Sequence, residues 1–255
     1  MTVLKITRFD DVAYLTIDRA PVNAVDPDMI EEFVETLPGL GEDPSVRCIV
    51  IQGTGRYFVA GADLQVMRDL SAENHLRMRR WVKVQAMIEK LPKPVIAAIN
   101  GVALGGGAEL ALACDLRIMA DSATIGVPEI QLGLYPGSGG SQRLPRLLGA
   151  HQAKLLMIEG EHLTADRALN LGMVDQVVPQ GEFSAVVSAR AQAWAEKPTA
   201  TIGLLKQVIR DGGGRDIDEA LEREEDVFLK LIQTEDIAEG LQAFLEKRIA
   251  RFVGR

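Results

Sequence analysis

Two glutamates stand out because each lies in an otherwise apolar stretch. Glu109 follows the glycines Gly105 to Gly107, and Glu129 lies between Pro128 and Ile130. Apolar surroundings raise the pKa of a carboxyl group, and two such groups can divide acid and base roles near neutral pH. The spacing does not show that the two meet in space. Dipole complementarity at Glu109 and ion pairing of Glu129 are therefore open alternatives.

The glycines before Glu109 indicate a place where a ligand can approach bare backbone. A helix predicted to begin at Gly106 would leave the N–H groups of its first turn without intrahelical partners. The positive end of the helix dipole favours negative charge at the same point. The segment therefore predicts an oxyanion- or anion-binding helix N-terminus.

Short strands that alternate with helices predict a mostly parallel α/β core. The expected strands cover residues 3–8, 12–17, 48–52, 95–100, 116–120, 123–127 and 174–178. The expected helices cover residues 27–37, 64–90, 141–148, 150–159 and 165–171, with a further helix from Gly106. Asp26 and Pro27 form a typical helix start, as N-cap and first helical residue.

The last third of the chain is predicted to be helical. A glycine-rich linker at residues 211–215 precedes an apolar stripe with helical spacing from Ile217 to Leu245. Asp216 and Glu219 have the spacing of a capping box, and Thr234 can cap a final helix. We expect a core domain at residues 1–197 and a helical module at residues 198–255. The module is too small for a core of its own and must cover its own domain or another subunit.

Composition excludes several functional classes. The net charge of −8 argues against a nucleic-acid or anionic-membrane partner, which a basic face would serve. Residues 95–114 imitate a membrane span, but three consecutive glycines divide them into a strand and a helix. The first eleven residues lack the apolar region of a signal peptide. Two cysteines in apolar runs, Cys48 and Cys114, predict buried thiols in a reducing compartment, and we expect a cytoplasmic protein.

Motifs for bound cofactors and for serine catalysis are missing from the sequence. The pair Gly53 and Gly55 lacks the third glycine of a dinucleotide fingerprint, and no Walker-type loop occurs. The three histidines have no metal-ligand spacing. Ser138 does not lie in a nucleophile elbow, so we interpret it as a turn residue. We expect neither a metal nor a separate cofactor.

Taken together, the distinctive segments resemble the crotonase family, also called the enoyl-CoA hydratase/isomerase family, over nearly the whole chain. They are Asn23-Ala24, Ala60-Gly61-Ala62-Asp63, Asn100-Gly101, Gly105 to Gly107, Asp115, Pro128-Glu129, Pro136-Gly137, Gly139-Gly140, Gln142-Arg143-Leu144, Ala168, Leu171-Gly172, Glu239-Gly240 and Ala243 to Arg248. The resemblance implies a ClpP-like spiral of ββα units with a C-terminal helical trimerisation module. It also implies a homotrimer or a homohexamer.

The resemblance assigns roles to individual residues. The N–H groups of Ala62 and Gly106 correspond to the family's oxyanion hole, which binds the thioester carbonyl. Glu109 corresponds mainly to the group that activates water and Glu129 to the group that protonates C2, although coupled carboxyls can exchange these labels. The residues expected to bind coenzyme A, as part of the substrate, are Ala24, Ala60, Ala62, Asp63, Leu64, Gln65, Gly106 and Lys247.

The implied function is an enoyl-CoA hydratase. Such an enzyme adds water across the C2=C3 bond of trans-2-enoyl-CoA thioesters to give 3-hydroxyacyl-CoA, in fatty-acid or related acyl-CoA degradation. A Δ3-Δ2-enoyl-CoA isomerase is the first alternative, since one carboxylate suffices to move a proton between C2 and C4. A non-catalytic acyl-CoA- or RNA-binding relative is the second, and the missing basic face disfavours RNA.

Overall fold

The computed structural model describes residues 2–255, which form ten strands, eleven α-helices and one 3-10 helix. The strands are β1 (Leu4–Phe9), β2 (Val12–Ile17), β3 (Cys48–Gly53), β4 (Tyr57–Val59), β5 (Val95–Ile99), β6 (Val102–Leu104), β7 (Leu116–Ala120), β8 (Thr124–Gly126), β9 (His162–Thr164) and β10 (Gln176–Val178). The α-helices are α1 (Pro27–Glu42), α2 (Leu64–Met67), α3 (Ala72–Lys90), α4 (Gly106–Leu112), α5 (Gly140–Leu148), α6 (Ala150–Glu159), α7 (Ala165–Leu171), α8 (Phe183–Ala195), α9 (Thr199–Gly212), α10 (Ile217–Leu231) and α11 (Glu235–Glu246). The 3-10 helix covers Pro128–Leu132.

The strands form two sheets that the chain visits in turn. The six-stranded sheet has the order β1-β2-β3-β5-β7-β10, and the four-stranded sheet has the order β4-β6-β8-β9. Three successive strand pairs, β3-β4, β5-β6 and β7-β8, each place their first strand in the large sheet and their second in the small one. Helices follow each pair, so the predicted spiral of ββα units is confirmed. Within residues 2–255, antiparallel pairing is confined to β1-β2 and β8-β9, as a mostly parallel core requires.

The strands β2, β3, β5 and β7 of the large sheet are predictable because most of their residues are buried. Every residue of β5 is buried, and strands buried on both faces have continuous apolar sequences. The strands β4, β6 and β9 of the small sheet are not predicted, since these short segments show no period. Residues 95–114 accordingly form β5, β6 and α4, which adds a strand to the predicted strand and helix. Within residues 2–255, no helix has the length and apolarity needed to cross a membrane.

The single helix predicted at residues 64–90 is wrong, because the chain forms α2 and α3 with a break between them. Ser71 caps α3 by accepting the N–H of Asn74 at 3.2 Å, and Asp69 accepts the N–H of Ser71 at 2.9 Å. The Asn74 amide donates to the carbonyls of Val66 and Asp69. These short-range side-chain hydrogen bonds compete with helical ones and end α2.

Helix starts were predicted with mixed success. Asp26 caps α1 by accepting the N–H of Met29 at 2.9 Å, as expected. The capping box at residues 216–219 is not formed, because Asp216 accepts from Asp218 while Glu219 pairs with Arg215. Thr234 precedes α11, but its hydroxyl donates to a carbonyl of the preceding helix and caps nothing.

The C-terminal helices α9, α10 and α11 all present apolar side chains to solvent, and α9 also packs on the core. The Lys206 ammonium group on α9 donates to Asp115 at 2.7 Å and to the Lys93 carbonyl at 2.9 Å. On α11, Phe244 is 82% exposed and Leu245 is 80% exposed. The division of the chain at residue 197 stays a prediction, and α9 contacts the core from the C-terminal side of it.

The packing of α4 against β4 generates a test of the fold. A Cβ atom at Gly107 would collide with the Val59 carbonyl oxygen of β4. We expect Gly107→Ala to lower the free energy of unfolding by about 1–3 kcal/mol, since the backbone must shift to admit the methyl group. The matched control is Gly39→Ala in α1, where a Cβ would meet no atom within 4 Å. Urea unfolding measures both variants, and equal midpoints for the two would contradict this packing.

Candidate active site

The backbone of Ala62 has a free N–H group because of how it pairs with Val25. The pair forms an isolated parallel bridge, in which the Val25 N–H donates to Gly61 and the Asp63 N–H donates to Val25, both at 2.8 Å. In a parallel ladder, these bonds leave the N–H of the intervening residue on the opposite side. Among the described residues, the Ala62 N–H has no hydrogen-bond acceptor.

Two polar side chains hold the loop that pairs with Ala62. Asn23 is buried with a positive φ of 56°, and its amide donates to the Tyr57 carbonyl at 2.9 Å. Arg19 pairs with Asp26 and with Asp63, each at 2.9 Å, so one guanidinium joins both chain segments. The sequence analysis identifies Asn23 only through the family motif and does not identify Arg19. Arg19 lies four residues before Asn23, but its role depends on Asp63, which is 44 residues away in the chain, so the local sequence gives no signal of it.

The second free N–H belongs to Gly106, the first residue of α4. Among the described residues its N–H has no acceptor, while its carbonyl accepts the indole N–H of Trp81 at 3.1 Å. Gly105 precedes it with a φ of 51°, a conformation that glycine adopts without strain. A Cβ atom at Gly105 would lie 3.8 Å from the Cα of Gly61, so the segments that carry Ala62 and Gly106 are neighbours.

Glu109 lies in the first turn of α4 and is only 2% exposed. Its Oε1 accepts the backbone N–H groups of Ser138 and Gly140, both at 2.8 Å. Burial raises the pKa of Glu109, while these two hydrogen bonds and the charge of Arg143 act in the opposite direction. Ser138 thus serves through its backbone, which agrees with its interpretation as a turn residue.

Glu129 lies in the 3-10 helix and has a different environment. Its Oε1 would lie 3.0 Å from a Cβ at Gly105, and its Oε2 is buried without a hydrogen-bond partner among the described residues. Burial raises the pKa of Glu129 to about 7, and the negative charge of Glu109 adds to the rise. The structure thus brings the two carboxyls into electrostatic contact, which sequence spacing left open, and within residues 2–255 Glu129 forms no ion pair.

The residues expected to bind coenzyme A fall into two groups. Most lie on the two segments just described: Ala24 is buried, Ala60, Ala62, Asp63 and Gly106 are half-buried, and Leu64 and Gln65 are exposed. Lys247 lies apart from them in the contacts of this chain. It ends α11 with a φ of 56°, is exposed, and forms no hydrogen bond or ion pair with that set in the described part of the chain. Its role in coenzyme A binding stays a prediction.

Comparison with known proteins agrees with this geometry. Residues 7–255 match the family model described as enoyl-CoA hydratase/isomerase. The chain belongs to the enoyl-CoA hydratase/isomerase family. A crotonyl-CoA hydratase of Syntrophomonas wolfei is 41% identical over 96% of this chain and 96% of its own length. A short-chain-enoyl-CoA hydratase of Clostridium acetobutylicum is 39% identical over 93% and 92%.

Solved structures of the family confirm the fold. The crystal structure of an enoyl-CoA hydratase from Bacillus anthracis superimposes with a TM-score of 0.94 at 36% identity, and the match covers all of both chains. A second, from Geobacillus kaustophilus, gives a TM-score of 0.95 at 32% identity over 100% of this chain and 98% of that one. The crotonase-type α/β fold with its C-terminal helices, inferred from motifs, is therefore confirmed.

The different environments of the Glu109 and Glu129 carboxyls can be tested by titration without substrate. We expect the Glu129 carboxyl to titrate near pH 7. In a Glu109→Gln variant its midpoint should fall, because the like charge that raises the Glu129 pKa is removed. Carboxyl-carbon NMR follows both titrations, with Glu129→Gln identifying the signal. A Glu129 midpoint at the ordinary glutamate value of about 4.3 would show that the side chain is more solvated than the structure indicates.

Proposed function

We propose that this protein is an enoyl-CoA hydratase, which adds water across the C2=C3 bond of trans-2-enoyl-CoA thioesters to give 3-hydroxyacyl-CoA. The observation that carries the proposal is the grouping of the buried Glu109 and half-buried Glu129 carboxyls with two backbone N–H groups that have no acceptor among the described residues. A single carboxyl would suffice to move a proton between C2 and C4, whereas hydration needs a base for water and an acid for carbon. Relatives about 40% identical to this chain are named as hydratases, which supports the same reading.

The N–H groups of Ala62 and Gly106 serve as the oxyanion hole in this proposal. Attack of water at C3 moves negative charge onto the thioester oxygen, and donors fixed in advance stabilise that charge best. Gly106 adds the positive end of the α4 dipole to its hydrogen bond. The bridge to Val25 and the hydrogen bond from Trp81 keep both peptide units in place before substrate arrives.

The two glutamates complete the proton transfers. Glu109 removes a proton from water as its oxygen bonds to C3, and Glu129 delivers a proton to C2 as the enolate collapses. The product has then gained H and OH, Glu109 holds a proton, and Glu129 has lost one. Proton exchange between the two carboxyls, directly or through solvent, restores the starting state.

The environments of the glutamates support this assignment of roles. Burial raises the pKa of Glu109, and two N–H groups and a nearby guanidinium act against this rise by favouring the ionised form that a base requires. Glu129 has an unpartnered oxygen and a pKa of about 7, so a large share of it carries a proton near neutral pH. General acids work best when their pKa is close to the working pH.

Coenzyme A enters as part of the substrate, and we propose no further cofactor. The segment Ala60 to Gln65 and the loop at Ala24 provide its binding surface. The chain segments that carry Ala62 and Glu129 continue into exposed apolar residues, namely Leu64, Leu70, Leu132, Leu134 and Tyr135. Such residues suit an acyl chain. Crotonyl-CoA, the unsaturated substrate named for one relative, is the first to test.

Replacement of either glutamate tests the proposal directly. We expect Glu109→Gln and Glu129→Gln each to lower kcat for crotonyl-CoA hydration by about 10²–10⁴, the usual contribution of a positioned acid or base. Loss of the absorbance of the conjugated thioester follows the reaction. The matched control is Glu35→Gln, which changes an exposed glutamate of α1.

The outcomes separate the candidate functions. Wild-type rates in both glutamine variants would remove the catalytic assignment. Loss of activity in one variant only, together with faster turnover of 3-enoyl-CoA than of crotonyl-CoA, would establish the isomerase. Binding of acyl-CoA without turnover of either substrate would indicate a non-catalytic relative.

We further propose that the protein assembles as a homotrimer, or as a homohexamer of two trimers, through its C-terminal helices. In the single chain, α10 and α11 leave large apolar side chains in solvent: Ile217, Leu221, Phe228, Leu241, Phe244 and Leu245. Apolar surface of this extent marks a protein contact. A closed ring of three buries the same stripe in every subunit.

Light scattering tests the assembly. We expect a mass about three or six times the 27.7 kDa of one chain. Introducing charge at the most exposed apolar positions, as in the double variant Phe244→Asp and Leu245→Asp, should lower the mass, because desolvating carboxylates opposes association. Glu224→Gln on α10 is the matched control. A wild-type mass near that of one chain at micromolar concentration would refute the assembly.

We propose a cytoplasmic location on the basis of the cysteines. Cys48 and Cys114 are unpaired and buried, and burial raises the pKa of both thiols to about 12. Thiols persist in reducing compartments, whereas oxidising ones favour disulfides.

A further inference from the structure

Glu109 depends on a short loop that has no regular structure of its own. The loop joins the 3-10 helix to α5, and the N–H groups of Ser138 in the loop and of Gly140, the first residue of α5, supply both hydrogen bonds to the carboxylate. A Cβ at Gly140 would lie 3.0 Å from Glu109 Oε1 and 2.7 Å from Pro136 Cβ, so the loop is packed tightly against the acid. Any movement of this loop would displace the N–H groups that donate to Glu109.

Arg143, in the first turn of α5, holds the loop from its other side. Its Nη1 contacts the Ser138 carbonyl at 3.4 Å and donates to Gln85 Oε1 at 2.7 Å. Its Nε and Nη2 form a fork with both oxygens of Glu89, at 2.7 and 2.9 Å. Gln85 is fully buried, and Glu89 lies one turn further along the same helix, α3. The guanidinium plane is therefore fixed by α3 on one side and touches the loop on the other.

From these contacts we infer that Arg143 is a positioning residue for the hydration reaction: it fixes the N–H groups of Ser138 and Gly140 that donate to Glu109. This inference rests on the proposed function. Arg143 does not touch the substrate in this account, and it acts only through Glu109. Its partner Glu89 limits how much positive charge Arg143 presents to the site.

The charged groups around Glu109 fix the sign of the expected effects. Arg143 on α5 lowers the pKa of Glu109, and the Glu109 charge in turn raises the pKa of Glu129 on the 3-10 helix. Glu89 on α3 is paired with Arg143 and partly neutralises it. Removing the charge of Arg143 raises the pKa of Glu109. Removing the charge of Glu89 lowers the pKa of Glu109, because the positive charge of Arg143 is then less neutralised.

The test compares Arg143→Met, Arg143→Lys and Glu89→Gln in crotonyl-CoA hydration across pH. We expect Arg143→Met to lower kcat about 10- to 100-fold with little change in KM, as misplacement of a catalytic group does. The acid limb of its pH profile should move to higher pH. For Arg143→Lys, we expect kcat and the acid limb to lie between those of Arg143→Met and wild type, since lysine keeps the charge but not the two-pronged hydrogen bonding of arginine.

Glu89→Gln provides the variant that retains the shape of the network. Its acid limb should move to lower pH, opposite to that of Arg143→Met, whereas a merely loosened fold would move both in the same direction. The control is Arg146→Met, which changes an exposed arginine of α5 whose side chain contacts only Gln142, and it should match wild type.

Two results overturn the inference: an acid limb that stays in place in Arg143→Met, or one that moves in the same direction in Arg143→Met and Glu89→Gln. If Arg143→Met fails to fold, the Glu89→Gln profile decides alone, and an unmoved limb overturns the inference. Carboxyl-carbon NMR of Glu109 gives the same shifts without turnover. A wild type that hydrates no enoyl-CoA would therefore refute the proposed function while the NMR shifts still test the role of Arg143.

Discussion

The structure depends on hydrogen bonds that allow Glu109, the base of the proposed mechanism, to ionise where almost no water reaches it and burial raises its pKa. Removing such a group from water is unfavourable by several kcal/mol unless hydrogen bonds replace its hydration. Here two backbone N–H groups and the start of α4 provide the replacement. This requires a loop folded directly onto the acid, and Gly140 meets the requirement because a side chain there would press on Glu109. The loop in turn requires an anchor, so the constraint extends from one carboxylate to the Arg143 network and to α3.

Close backbone approach is the second consequence of the same constraint. The proposed oxyanion donors and the proposed acid and base must all lie within reach of one reacting unit, so the chain segments that carry them must nearly touch. Gly105 lies against Glu129 and Gly61, and Gly107 lies against the carbonyl of Val59 on β4. A side chain at Gly107 would separate α4 from β4. The run of three glycines thus shapes the helix start, the proposed oxyanion hole and the packing of the core at once.

Much of this arrangement could be predicted from sequence because its signals are local. The fully buried strands such as β5 have continuous apolar sequences, and the glycines before Glu109 mark a helix start open to a ligand. The strands β4, β6 and β9 of the small sheet show no period to recognise, and the break between α2 and α3 depends on side-chain hydrogen bonds of Asn74. That Glu109 and Glu129 come together depends on the tertiary structure and cannot be predicted from their spacing in the sequence. The roles of Arg19 and Arg143 could not be predicted either, since they depend on contacts with distant parts of the chain.

In the proposed mechanism, the unequal environments of the two carboxyls also explain how one site can run the reaction in both directions. Dehydration follows the same path backwards, so Glu129 must then accept the C2 proton while Glu109 returns a proton to the departing hydroxide. A group with a pKa of about 7 populates both of its forms near neutral pH and can take either part. Glu109 takes its proton from water during hydration and must hold a proton at the start of dehydration, and its two N–H donors favour the charged form that each proton release restores. If both carboxyls were equally solvated, both would be ionised at neutral pH and no acid would face C2. If both were buried without donors, both would be protonated and no base would face water. Glu109 accepts two backbone hydrogen bonds, whereas Oε2 of Glu129 has no partner among the described residues. This difference in hydrogen bonding makes the two carboxyls differ in how readily they ionise, and the proposed catalysis in either direction depends on that.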